Sequence, residues 1–119
     1  MTKLQAPRAI TEHESAVIMK MLESCAVNGL VTIDPGTVPS LKVIAQCDCG
    51  CDTVEFEGID WSAPPTVVAD GQGSTSAENE VGVIVFANGA AITCLEVYNH
   101  GDAPARLPRV ESIKGYGAQ

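Results

Sequence analysis

The sequence predicts an α+β domain in which one N-terminal helix packs on a mainly antiparallel sheet of about four to five strands. One observation behind this prediction is an amphipathic stripe with helical spacing near the N-terminus. Another is a pair of long apolar runs that flank Asn88-Gly89. The 119 residues, 45% of them hydrophobic, suit one hydrophobic core. We therefore expect a single α+β domain over residues 1–119.

The predicted helix begins with a capping box, in which Thr11 is the N-cap and Glu14 stands three residues later. His13 falls in the first turn, where we expect it to face water. Asn28-Gly29 supplies a C-terminal stop signal. The apolar stripe between these ends consists of Val17, Ile18, Met21, Leu22 and Cys25. At this spacing, its members share one face of the helix.

The sequence that follows the helix predicts β-strands. Residues 38–45 lead as one strand into a cysteine-rich run, and residues 53–56 continue that strand. Residues 61–65 form a break, in which Trp61 is expected to pack against the core. Residues 66–69 are predicted to form a short strand, and the Gly- and Ser-rich residues 70–79 are predicted to form a surface loop.

Asn88-Gly89 is the dipeptide favoured in a two-residue type I′ turn, so the flanking runs predict a β-hairpin. Pairing across this turn defines two faces. One face carries Gly82, Ile84, Phe86, Ala91, Thr93, Leu95 and Val97. The other face carries Val81, Val83, Val85, Ala90, Ile92, Cys94, Glu96 and Tyr98. Because both faces are largely apolar, we expect each of them to be covered.

A single helix covers only one face of this hairpin, so the second face needs another cover. A homodimer is predicted, in which one patch buries itself across a two-fold axis. The patch consists of Val81, Val83, Val85, Ile92 and Tyr98. The competing prediction is that the C-terminal segment 106–113 folds back over this face with its apolar side chains, Leu107, Val110 and Ile113.

Three cysteines at alternate positions, Cys47, Cys49 and Cys51, are the most informative feature for function. In an extended strand, residues two apart lie roughly 6.5 to 7 Å from each other. Thiolates on one tetrahedral zinc lie about 4 Å apart, because Zn–S bonds are about 2.3 Å long. The triplet is therefore predicted to hold reduced, metal-free thiols that act as small hydrophobes. A β-bulge near Gly50 is expected to return both parts of the strand to the core.

Two alternatives for the triplet stay open, and no cofactor is expected. If a metal is bound, Cys47, Cys49 and Cys51 are its ligands, and the chain has to bend at Gly50 to bring them together. A thiol redox site is the other alternative, although the two-residue spacing of thioredoxin-like motifs is absent. The remaining potential ligands are scattered: Cys25, Cys94, His13 and His100.

Catalytic motifs are sparse. Glu96, a charge inside an apolar run, and His100, in a predicted turn, define a possible functional pocket. A carboxylate in a central strand needs a partner, such as Arg106 or Arg109. Cysteine catalysis would need His100 close to Cys94 or to the triplet. A small enzyme with a Cys/His or Glu-based site is therefore an alternative, and the sequence favours a non-catalytic domain.

Charge and cysteine usage restrict the partners and the compartment. A formal charge of −8 repels phosphate backbones, so no nucleic-acid binding is expected. An acidic surface suits a protein partner with basic groups. The N-terminal residues lack the apolar core of a signal peptide, and no stretch is long enough to span a bilayer. The odd count of five cysteines then predicts reduced thiols in a cytoplasm.

Three short stretches carry a resemblance to other proteins: residues 49–54 (Cys-Gly-Cys-Asp-Thr-Val), 95–98 (Leu-Glu-Val-Tyr) and 107–108 (Leu-Pro). From about residue 11 to residue 113, the chain resembles a group of small uncharacterised bacterial proteins. They share an N-terminal helix, a Cys-x-Cys-Gly-Cys stretch followed by Thr or Ser and Val, and a Leu-Glu-Val-Tyr strand. The resemblance implies a bacterial origin and an α+β domain, and it supplies no activity and no site residues.

The function that the sequence favours is a non-catalytic accessory or binding domain with an acidic surface and a protein partner. A zinc-stabilised domain that uses the cysteine triplet is the first alternative, and the small enzyme is the second.

Overall fold

A computed structural model describes residues 1–27, 33–58, 64–101 and 103–116. One sheet of seven strands is covered by one α-helix, which confirms the predicted α+β class but with more strands than expected. The elements are β1 (Thr2–Ala9), α1 (Glu12–Ser24), β2 (Lys42–Gln46), β3 (Val54–Phe56), β4 (Thr66–Ser74), β5 (Glu80–Asn88), β6 (Ala91–Tyr98) and β7 (Lys114–Gly115). Two 3-10 turns, Pro35–Ser40 and Val110–Ser112, complete them. The strand order is β1-β2-β3-β6-β5-β4-β7, and all pairs are antiparallel.

The two additional strands lie at the edges of the sheet, where the hydrophobic pattern is weakest. Six of the eight residues of β1 are exposed, so the strand has no apolar alternation to reveal it. Its pairing with β2 is irregular between Lys3 and Arg8, around Pro7, a residue that edge strands tolerate. At the opposite edge, β7 has only two residues.

The start of α1 confirms the predicted capping box. The Glu14 amide donates to Thr11 Oγ1 (3.0 Å), and the Thr11 amide donates to Glu14 Oε1 (2.9 Å). Val17, Ile18 and Met21 are fully buried against the sheet, and each such side chain contributes on the order of 1.5–3 kcal/mol. The helix ends at Ser24. The predicted stop at Asn28-Gly29 and the predicted packing of Trp61 lie outside the described residues.

The predicted loop over residues 70–79 is wrong in its first half, because β4 continues to Ser74. Its glycines are needed for close packing rather than for a turn. A Cβ on Gly71 would lie 2.7 Å from Cys25 Sγ, and a Cβ on Gly73 would lie 2.7 Å from Pro108 Cβ. The glycines in this stretch predicted a loop, but in the structure they allow the end of α1 and the C-terminal segment to pack directly on β4.

The hairpin is confirmed, but its register differs from the prediction. The turn residues are Gly89 and Ala90, since Asn88 pairs with Ala91. Phe86 then pairs with Cys94 and Ala87 pairs with Ile92, so Thr93 is an extra residue on β6. Beyond this β-bulge, from Cys94 onward, each residue of β6 lies on the opposite face of the sheet from the face that the predicted pairing gave it. The bulge also leaves the Thr93 hydroxyl buried without a hydrogen-bond partner among the described residues.

The shifted register overturns the predicted dimer patch. Val81, Val83, Val85 and Ile92 are all at most 3% exposed in the core beneath α1, and Tyr98 lies on the opposite face. Leu107 and Ile113 belong to the same core cluster. The C-terminal segment therefore packs on the face that α1 also covers, and the competing prediction, in which it covers the face that the helix leaves open, is wrong as well.

The sheet face away from α1, which we call the outer face, is formed by half-buried side chains. Its central members are Glu55, Asp70, Ile84, Phe86, Cys94, Glu96 and Tyr98. Among the described residues, no helix has the length and apolar character needed to cross a membrane.

Candidate metal centre

The cysteine triplet lies in the connection between β2 and β3 rather than in a strand. β2 ends at Gln46 and β3 begins at Val54, so the expected continuous strand is wrong. The Cys47 amide still donates to the Thr53 carbonyl (3.1 Å), and the chain turns between them. Gly50 adopts φ +89°, a left-handed conformation that glycine accepts without steric cost. The bend at Gly50 that a metal site required is therefore present.

This turn brings the three sulfur atoms together. Cys47 Sγ lies 2.6 Å from Cys49 Sγ, and Cys49 Sγ lies 2.8 Å from Cys51 Sγ. All three sulfurs lie within 4.8 Å of one another. The expected strand spacing of roughly 7 Å does not apply, because the chain is not extended here. Cys47 and Cys51 are half-buried and Cys49 is exposed. Cys51 packs against the hydrophobic core, but no member of the triplet is buried within it.

Two backbone amides donate to these sulfurs. The Ala105 amide donates to Cys51 Sγ (3.2 Å), and the Cys51 amide donates to Cys49 Sγ (3.4 Å). Amide donors of this kind stabilise the negative charge of thiolates and orient them in metal centres. The triplet therefore has outer hydrogen bonds as well as converging sulfurs.

The cysteine loop is fastened to the segment that follows β6. The Asp52 amide donates to the Ala105 carbonyl (2.9 Å), and Asp52 Oδ2 accepts from the Leu107 amide (2.7 Å). The Arg106 guanidinium donates to the Gly50 carbonyl (2.9 Å) and lies 3.4 Å from Asp52 Oδ1. This clamp between residues 50–52 and 105–107 holds the turn in place. The local sequence pattern does not predict this clamp, because Asp52 and Leu107 are 55 residues apart in the chain.

A cleft of about 210 Å³ opens beside the sulfurs and is lined by Cys47, Cys51, Arg8, Glu14 and Arg106, among others. Arg8 forms a two-pronged ion pair with Glu14, with N–O distances of 3.0 and 2.9 Å. Burial by itself raises the pKa of Glu14, but hydrogen bonds from Arg8 and Thr11 outweigh it, so the pKa lies below its ordinary value. Glu14 is thus held as a carboxylate, and two guanidinium groups border the cysteine cleft.

Among the described residues, the only group of three or more Cys, His, Asp or Glu side chains placed to share one metal ion is the triplet itself. The other potential ligands lie elsewhere. Cys25 is buried at the end of α1, and His13 Nε2 contacts the Pro108 carbonyl (2.9 Å). Cys94 is on the outer face, where burial, with Glu55 and Glu96 nearby, raises the pKa of its thiol to about 12. Among the described residues, the three cysteine sulfurs are therefore the donors that define the site.

The sulfurs need a small adjustment to hold an ion. Bonds of about 2.3 Å in tetrahedral geometry place neighbouring thiolates about 3.8 Å apart. The separations of 2.6 and 2.8 Å would each have to increase by about 1 Å. Rotation of the exposed Cys49 side chain is sufficient for a change of this size.

The clefts formed by the described residues do not place Glu96 and His100 together. His100 lines a separate cleft of about 320 Å³ with Asn79, Glu80, Asn99 and other residues. Glu96 lies on the outer face opposite Ile84. Arg106, a predicted partner of Glu96, contacts Gly50 and Asp52 instead, and Glu96 forms no ion pair among the described residues.

Comparisons with known proteins find no matching family model, no matching curated protein and no matching solved structure. The resemblance to small bacterial proteins therefore stays a prediction.

Proposed function

We propose that this chain is a small metal-binding domain in which Cys47, Cys49 and Cys51 hold one thiophilic ion. The observation that carries the proposal is the convergence of the three Sγ atoms within 4.8 Å of one another. Thiolates are the protein ligands preferred by zinc and by monovalent copper. This is the alternative that strand geometry disfavoured, and the turn at Gly50 removes that objection.

The exposure of the triplet favours a metal site over inert buried thiols. A cysteine that serves as a small hydrophobe belongs in the core, as Cys25 does at 4% exposure. Cys49 is exposed and its two neighbours are half-buried. Thiols this close together at the surface, with amides donating to two of them, are suited to bind an ion.

Metal binding would add to the stability of the domain. The ion would cross-link the turn between β2 and β3, which the Asp52 clamp joins to the segment after β6. A ligand present at 100 times its dissociation constant stabilises the folded state by about 2.7 kcal/mol. The domain is therefore expected to melt at a lower temperature after chelation.

Elemental analysis tests the proposal. Protein purified without a tag and without oxygen is expected to carry one zinc or copper per chain. The variant with Cys47→Ser, Cys49→Ser and Cys51→Ser should lose the metal, whereas Cys94→Ser is the matched control and should keep it. Metal-free wild-type protein that takes up neither ion would reject the proposal. A mass lower by two hydrogens in that protein would show a disulfide and favour the redox alternative.

We also propose that the domain is non-catalytic and works in a reducing compartment such as a bacterial cytoplasm. The thiols must stay reduced to bind an ion, which secretory compartments do not favour. His100 shares its cleft with Glu80, and among the described residues it forms an ion pair with neither Glu80 nor Glu96, which supports a non-catalytic domain. Turnover of any substrate by metal-free protein would contradict this part.

The outer face suits a basic protein partner. Asp70, Ile84 and Glu96 lie opposite one another on three adjacent strands, and Glu55 lies opposite Cys94 on the next row. None of these acids has an ion pair among the described residues. Asp70 Oδ1 is shielded from solvent and has no hydrogen-bond partner there. A second copy would bring like charges together, so we favour a partner with Lys or Arg over the predicted homodimer.

Light scattering separates these two uses of the outer face. At micromolar concentration the free chain is expected near its monomer mass of 12.4 kDa. A mass about twice that value, lost in Ile84→Glu while the protein stays folded, would support the homodimer instead. Oligo-arginine peptide should shift amide resonances of β4, β5 and β6, and oligo-glutamate peptide is the control that should not.

A further inference from the structure

We infer that the ion held by Cys47, Cys49 and Cys51 is Cu(I), bound by three thiolates and no other protein donor. This inference rests on the proposed metal-binding function and specifies the ion. Three features carry it: the number of donors, their softness, and the charge around them.

The donor number fits Cu(I) better than zinc. Structural zinc takes four ligands in a tetrahedron, and the described residues provide three in one place. Cu(I) is a soft ion that three thiolates in a trigonal arrangement satisfy. An iron–sulfur cluster distributes its thiolates over different iron atoms, so sulfurs within 4.8 Å of one another favour a single ion.

Both carboxylates that line the cleft already have partners. Asp52 Oδ2 accepts the Leu107 amide at 2.7 Å, and its Oδ1 faces Arg106 at 3.4 Å. Glu14 is paired with Arg8. The donors that the cleft offers to the ion are therefore sulfurs, which selects soft ions over hard ones.

The surroundings suit an anionic centre. Three thiolates with one Cu(I) carry a net charge of −2, and with Zn²⁺ they carry −1. Arg8 and Arg106 line the cleft beside Cys47 and Cys51, and amides of Ala105 and Cys51 donate to the sulfurs. Because Arg8 is paired with Glu14 and Arg106 with Asp52, the backbone amides are the donors that offset the additional negative charge of the copper form.

Two measurements on the full-length, reduced chain test the inference. An anaerobic titration follows Cu(I) against a chromophoric Cu(I) chelator, and a parallel titration follows Zn²⁺ against a zinc chelator. One Cu(I) per chain is expected, with zinc unable to displace it. Cys49→Ser should weaken Cu(I) binding by at least about tenfold, since even outer-shell changes cost that much. Cys94→Ser is the matched control and should bind as the wild type does.

X-ray absorption on the copper-loaded wild type gives the coordination directly and does not depend on how any variant folds. Three sulfur neighbours without nitrogen or oxygen are expected. Two sulfurs, or a shell that includes nitrogen or oxygen, would overturn the inference, and so would unchanged Cu(I) affinity in Cys49→Ser. Zinc that resists displacement by Cu(I) would overturn the copper assignment and leave the metal-binding function standing. Failure to retain either ion would overturn both.

Discussion

The Asp52 carboxylate accepts a 2.7 Å hydrogen bond from the Leu107 backbone amide across 55 residues of chain. This contact joins the cysteine loop to the segment after β6, and the Arg106 guanidinium reinforces it from the other side. The position of the three sulfurs therefore depends on a carboxylate that is not itself placed to bind the ion.

Replacement of this carboxylate should loosen the loop. Asp52→Ala removes a charged acceptor and leaves the backbone amide of the buried Leu107 unpaired, so the unfolding free energy should fall by about 1.5–3 kcal/mol. Metal affinity should fall by about tenfold to a hundredfold, as for other outer-shell groups. Urea unfolding and a chelator competition measure the two effects. Asp48→Ala is the control, because Asp48 is exposed, and an equal loss in both variants would contradict the clamp.

Removal of the helix cap should destabilise α1. Thr11→Ala loses the acceptor of the Glu14 amide, so the unfolding free energy should fall by about 1 kcal/mol. Denaturant midpoints measure the change. Ser76→Ala, at an exposed turn position, is the matched control and should change little. Equal midpoints for the two variants would mean that the cap contributes nothing to the folded state.

Acid should remove the contribution of the Arg8–Glu14 pair. The pKa of Glu14 is lower in the folded state than its ordinary value of 4.5, so the unfolded state binds more protons near this pH. The stabilisation is present above about pH 4.5 and is lost as the pH falls through the lower folded pKa. Glu14→Gln keeps the capping geometry and removes the charge, so its stability should depend less on pH below that value. Parallel wild-type and variant curves on the acid side would disprove this role.

Alkylation should distinguish the triplet from the other two cysteines. Burial raises the pKa of Cys25 and raises that of Cys94 to about 12, so both remain thiols at pH 8 and react slowly. Iodoacetamide at that pH should modify the exposed Cys49 first, and peptide mass spectrometry gives the order. Added Cu(I) should protect the triplet and leave the rate at Cys94 unchanged. Early modification of Cys94 in folded protein would contradict the burial of its thiol.

Neighbouring residues of β5 provide a matched test of the register. Val83 is fully buried beneath α1, and Ile84 is half-buried on the outer face. Val83→Glu places an unpaired charge in the core and should unfold the domain. Ile84→Glu should leave it folded, as followed by circular dichroism. If Val83→Glu folds and Ile84→Glu does not, the two faces of β5 are exchanged relative to the core.

Sequence patterns predicted the elements whose signals are local. The capping box at Thr11, the apolar stripe of α1 and the hairpin around Gly89 all follow from spacing alone. The exchange of faces at Thr93 did not, because one extra residue leaves no trace in a run that is apolar throughout. β1 was missed because an exposed edge strand needs no apolar alternation.

The candidate site likewise combines features with a local sequence signal and features that depend on distant parts of the chain. Its cysteines, Cys47, Cys49 and Cys51, are evident from the sequence, but their convergence is not, because strand periodicity was extended into a segment that turns. Gly50 was the available signal, and it was interpreted as the site of a bulge. The contribution of Ala105 and Leu107 could not be predicted, since it depends on how the chain returns after β6.

The separation between the cysteine loop and its clamp also sets an order of events during synthesis. All three sulfur ligands leave the ribosome within five residues of one another, but Ala105 and Leu107 follow more than 50 residues later. At about 5–20 residues per second, a nascent chain carries a local, unclamped thiol cluster for several seconds. Under the proposed metal-binding function, tight capture of an ion waits for the segment after β6, so that metal occupancy would mark chains in which this segment has folded.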